Sequence, residues 1–66
     1  MSRKERVFEQ AELTRQLENF KTVMSHGAPY YTYRTSVAHR MMLALEEMGR
    51  VRRLRVERTR MWWGPA

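Results

Sequence analysis

The sequence contains no cysteine, which removes any disulfide framework and any thiolate metal site, and His26 and His39 are its only imidazoles. A structural zinc therefore lacks ligands, and no cofactor is implied. No apolar run approaches the roughly 20 residues of a membrane span, and the charged amino terminus lacks the apolar core of a signal peptide. The expected address is the cytoplasm. There is no glycine-rich phosphate loop, and no serine or threonine stands in a recognisable motif with a histidine and an acid. Glu46 and Glu47 are adjacent, so on a helix they point different ways rather than flanking a substrate. Enzyme activity is not expected.

Acidic residues are also scarce: seven, against thirteen lysines and arginines, for a net charge of +6. Five of those net charges fall in residues 50–66, where Arg50, Arg52, Arg53, Arg55, Arg58 and Arg60 face only Glu57. Val51, Leu54, Val56, Met61, Trp62 and Trp63 are interleaved with them, which suits a two-stranded ribbon with an apolar side and a basic edge better than a disordered tail. A small body of this charge attracts polyanions, nucleic acid foremost. Sixty-six residues make one domain, 1–66, with residues 1–8 read as a candidate arm. A chain this short buries only about 60% of its unfolded surface, so oligomerisation is expected.

From Ser2 to Met24 the pattern is helical. Ser2 and Glu5 have capping-box spacing, and Leu13, Leu17, Phe20 and Met24 form one apolar stripe, from which Val7 and Phe8 depart in phase. The stripe needs a partner, and a homodimer through this first helix is the expectation. Ser25, His26 and Gly27, followed by Ala28 and Pro29, supply the stop. Tyr30 to Arg34 reads as either a short strand or one irregular helical turn. Thr35 or Ser36 then offers an N-cap, Ala38, Met41, Met42, Leu45 and Met48 give a second apolar stripe, and Gly49 closes the helix. Val51–Val56 and Arg60–Trp63 read as two strands joined by a tight turn, with one tryptophan facing the core and the other not. The expected fold class is a small α+β domain.

The stretch Ser36 to Val51, SVAHRMMLALEEMGRV, resembles the winged helix-turn-helix family of DNA-binding domains. Its Leu45-Glu46-Glu47-Met48-Gly49-Arg50-Val51 segment looks like the end of a recognition helix passing into the first wing strand. The resemblance covers residues 35–63, and residues 9–27 only as a generic first helix. Between Gly27 and Ser36 the family usually fits a complete second helix and turn, whereas this chain has eight residues there.

What the resemblance implies is a double-stranded-DNA-binding transcriptional regulator of phage, plasmid or bacterial kind, acting by occlusion or bending. By position, Ser36, Val37, His39, Arg40 and Leu43 fall on the groove-reading face of the second helix. Arg40 is the leading candidate, because a guanidinium can bond guanine O6 and N7 together, worth roughly 1–3 kcal/mol of discrimination. Arg58 and Arg60 at the hairpin tip are expected on the minor groove or backbone, with Arg53 and Arg55 along the strand beside the duplex. Tyr31, Tyr33 and Arg34, with Tyr30, offer backbone contacts ahead of the helix. The bland reading of the arginines is edge protection. Two rivals remain: a protein-interaction module, such as a small viral inhibitor gripping an acidic host protein, and a single-strand binder stacking bases on Tyr31, Tyr33 or Trp63.

Overall fold

Residues 8–66 are described by a computed structural model with two helices and a three-stranded antiparallel sheet. The first helix, α1, runs Gln10–Ser25. It does not continue back to Ser2, because Glu9 is extended (φ −72°, ψ 154°) and its N–H is taken by Glu12 Oε1 at 3.2 Å. The Ser2–Glu5 box and Val7 lie outside the described residues, while Phe8 packs against the core. Leu13, Leu17 and Phe20 are buried as their spacing dictates. Gly27, at φ 79°, takes the left-handed position that a side chain resists, and its N–H bonds Met24 O at 3.0 Å.

Strand β1 is Tyr30–Tyr33, which settles the connector: among residues 28–36 there is a strand and no second helix. Its alternation is decisive. Tyr30 and Thr32 are buried while Tyr31 and Tyr33 are exposed. Tyr30 meets Phe20 edge to face, with ring centroids 5.3 Å apart. Helix α2, Val37–Glu47, starts at Ser36, whose Oγ accepts from His39 N at 3.1 Å and donates to Tyr33 O at 2.7 Å. It ends with Gly49 at φ 77° and a pair of bonds, Gly49 N to Glu46 O and Arg50 N to Leu45 O, both 2.9 Å.

The hairpin is formed by β2, Val51–Val56, and β3, Arg60–Pro65, two residues longer than the sequence pattern indicates. The sheet order is β1-β3-β2. Register pairs Tyr31 with Trp62 and Tyr33 with Arg60 on one side of β3, and Arg53 with Trp63 and Arg55 with Trp62 on the other. The shift between Arg53 and Arg55 leaves Leu54 as the extra residue of a bulge.

Both helices cover the same sheet face. There Tyr30, Val51, Met61 and Trp63 meet Leu13, Leu17, Phe20, Met42 and Leu45 in one core. The α1 stripe thus finds its partner within the chain, in α2 and β1. Alternation sends Trp63 inward, only 1% exposed, and leaves Trp62 on the other face.

Candidate nucleic-acid interface

His39 is not on the groove-reading face. It is buried, on the line His39, Met42, Leu45 at helical spacing, and so belongs to the side of α2 that faces the sheet. Thr32 Oγ1 accepts from Trp63 Nε1 and lies 2.9 Å from His39 Nδ1. The hydroxyl keeps a proton and a second lone pair, so it can bond Nδ1 in either role according to the ring's tautomer. Burial lowers the His39 pKa, and the positive charges of Arg34 and Arg53 lower it further.

That depression has a signed consequence. The unfolded chain takes up the proton first, so stability is fully present above the free imidazole value of about 6.5 and falls as pH drops below it. Urea midpoints measured from pH 8 down to 5 are expected to decline in the wild type and to stay nearly flat in His39→Gln. An equal decline in both proteins would remove His39 as the cause. The window is separate from that of Glu46, whose carboxyl is held below its ordinary range by hydrogen bonds from Arg53, so its contribution is present throughout this pH range and is lost only at more acid pH.

The remaining candidates divide between two surfaces. At one end of the domain, Arg34 N bonds Thr59 O at 2.9 Å and Arg34 Nη1 bonds Glu57 O at 3.0 Å, which ties the hairpin tip to the turn leading into α2. Val37, Arg40 and Arg58 are exposed. Neither Arg40 nor Arg58 has an ion pair among the described residues. Ser36 sits in the same place, but its hydroxyl is occupied by the cap. Leu43 is half-buried and packs against the core. Arg53 turns toward α2 and grips Glu46 with two nitrogens at 2.7 and 2.6 Å, so a phosphate would have to displace a carboxylate to use it.

The second surface is the sheet face that carries no helix. Tyr33, Tyr31 and Trp62 stand in a row on it, Tyr31–Tyr33 at 5.5 Å and Tyr31–Trp62 at 4.8 Å between centroids. The Arg60 guanidinium lies over both the Tyr31 and Trp62 rings, at 5.4 and 5.8 Å. Glu57 bridges Arg55 (2.9 Å) and Arg60 (3.4 Å). Tyr31 and Tyr33 therefore point away from α2, and Trp63, one of the stacking candidates, is buried in the core while Trp62 stands on the open face. Alternation puts Trp62 on a strand face with Arg60 and Gly64, but the sequence alone does not say which of the two tryptophans faces the core.

Among the described residues no helix is long and apolar enough to cross a membrane, and no group of three or more histidines and acids is placed to hold a metal ion. No family model matches the chain, and neither the curated proteins nor the solved structures contain a match to it.

Proposed function

We propose that this protein binds double-stranded DNA as a compact winged-helix-like regulator, with the first turns of α2 in the major groove and the hairpin tip on the backbone or minor groove. The observation that carries the reading is the Arg34 strap. It holds the start of α2 and the hairpin tip at the same end of the domain, where Arg34, Arg40 and Arg58 are exposed and Glu57 is occupied by Arg55 and Arg60. A major groove about 12 Å wide admits a helix, and a basic hairpin beside it can follow the phosphates. The α1-β1-α2-β2-β3 arrangement is compatible with that family's layout, with a strand where the family has its second helix, between α1 and α2. A dimer through α1 would have to use the outward side of α1, since its apolar stripe is covered within the chain.

The test is fluorescence anisotropy on a genomic-fragment pool and on random duplex, at low and near-physiological salt. Specific binding predicts that some fragments survive the higher salt. Arg40→Ala is expected to shrink the gap between those fragments and random duplex by roughly 1–3 kcal/mol. Arg58→Ala is expected to weaken all duplexes alike and to reduce the log–log salt slope by about 0.9. If every duplex dissociates equally with salt, the reading fails and an acidic protein becomes the partner to seek.

A further inference from the structure

A three-stranded sheet has two faces, and here the helices take only one. On the other, Tyr31 is 38% exposed and Tyr33 55% exposed, an unusual outlay of aromatic surface for a small domain. Successive same-face residues of a strand stand about 6.6 Å apart, so Tyr33 and Tyr31 form a line along β1, and Trp62 extends it onto β3. The row then runs toward a hollow of about 340 Å³ whose walls include Ala28, Pro29, Leu54 and Trp62. That end of the face is held by Gly64. A Cβ there would stand 2.8 Å from Leu54 Cδ1, so the bulged leucine lies across Gly64 and a larger residue would have to push its exposed tip aside.

The charge around the row is predominantly positive. Register places Arg52 opposite Gly64, Arg55 opposite Trp62 and Arg60 opposite Tyr33, all on this face, and Glu57 is the acid bridging two of them. A second copy of the chain seated face to face would bring these arginines against their own counterparts. A partner with planar apolar rings on a negatively charged backbone fits both features at once, and stacking on aromatic side chains needs bases that are unpaired.

We propose that the open sheet face binds single-stranded DNA, with bases stacking along Tyr33, Tyr31 and Trp62, and phosphates meeting Arg52 and displacing the Glu57 carboxylate from Arg55 and Arg60. The choice of DNA over RNA rests on the duplex reading above. This face adjoins the α2 end of the domain at the hairpin tip, where Tyr33 precedes Arg34 and Glu57 bonds Arg55 and Arg60, so one molecule would hold a duplex and an adjacent displaced strand on neighbouring surfaces.

The experiment titrates labelled oligothymidylate, oligouridylate and random duplex with the wild type, Tyr31→Ala, Tyr31→Phe, the double variant Arg52→Gln with Arg55→Gln, and Arg40→Ala, with melting midpoints recorded for each. Tyr31→Ala is expected to weaken oligothymidylate binding about tenfold while leaving duplex affinity unchanged, and Tyr31→Phe to restore it. The arginine pair is expected to flatten the salt dependence for oligothymidylate, and Arg40→Ala to leave that ligand unaffected. Three results would overturn the proposal: no oligothymidylate binding at low salt, wild-type binding by both Tyr31→Ala and the arginine pair, or tighter binding of oligouridylate than of oligothymidylate. A doubled mass in the wild type that Tyr31→Ala abolishes would do so too, assigning the face to a second copy. Loss of duplex binding alone, with oligothymidylate still held and preferred to oligouridylate, would reject the duplex reading and leave this one standing.

Discussion

Trp63→Ala is expected to remove a large share of the domain's stability, lowering the thermal and urea midpoints more than any other single truncation in the core. Trp63 is 1% exposed and is the largest of the fully buried side chains. Removing a buried aromatic of this size costs about 3–5 kcal/mol, and a domain of this length has a total stability on the order of 3–10 kcal/mol. The indole also donates to Thr32 Oγ1 at 2.9 Å, so the truncation breaks a buried hydrogen bond as well as opening a void. Trp63→Phe should keep the fold at a lower midpoint, since most of the apolar volume stays. Trp62→Phe should shift the midpoint far less, because that ring lies on the open face. A Trp63→Ala protein that melts like the wild type would mean that the sheet does not close on α2 through this residue.

The second large effect is expected from Thr32→Val, a substitution that hardly changes shape. One oxygen serves two buried groups, Trp63 Nε1 and His39 Nδ1. Valine leaves both without partners, and each buried polar group so stranded costs about 1–3 kcal/mol, for a combined loss on the order of 2–6 kcal/mol. The diagnostic measurement is a double-mutant cycle. Trp63→Phe removes the donor that Thr32→Val strands, so the double variant should be less destabilised than the sum of the two single losses. Strict additivity would show that the three side chains do not act as one network. The pH behaviour gives an independent check, since His39 Nδ1 bonds the same oxygen.

Much of the fold was legible because its signals are local. The spacing of Leu13, Leu17 and Phe20, the serine cap at residue 36 and the glycines at 27 and 49 each specify a boundary or a face from a few neighbouring residues. The alternation of Tyr30 to Tyr33 was equally local, yet it was compatible with a strand or a turn until β3 supplied a partner 30 residues downstream. His39 was misplaced for the same kind of reason. Apolar residues nearly surround α2, so its buried side is poorly defined by composition, and the pocket that accepts an imidazole is made by Thr32 and Trp63 from two different strands.

The arginines show the limit most clearly. In sequence they form one basic block, but the sheet distributes them: Arg53 to Glu46 on the helix side, Arg55 and Arg60 to the open face, Arg58 to the tip. The bulge at Leu54 resets the alternation between Arg53 and Arg55, and nothing in the local pattern marks it. The Trp62 row was missed because the sequence indicated that one tryptophan would be outside but not which one.

The strand order β1-β3-β2 also dictates when the fold can close. Both ladders of the sheet run through β3, so β1 and β2 have no strand partner until residues 60–65 are available. As the chain emerges during synthesis, Leu13, Leu17, Phe20, Met42 and Leu45 are made first, and they wait for Met61 and Trp63 to cover them. The local hairpin can zip before the distant ladder to β1, because its two strands are separated by only a short turn. The strand that follows the other two in the chain is the one in the middle, so a ribosome-bound chain stalled before Arg60 would present apolar helices and no sheet, and β3 would close the domain in two steps, the hairpin first and the β1 ladder after it.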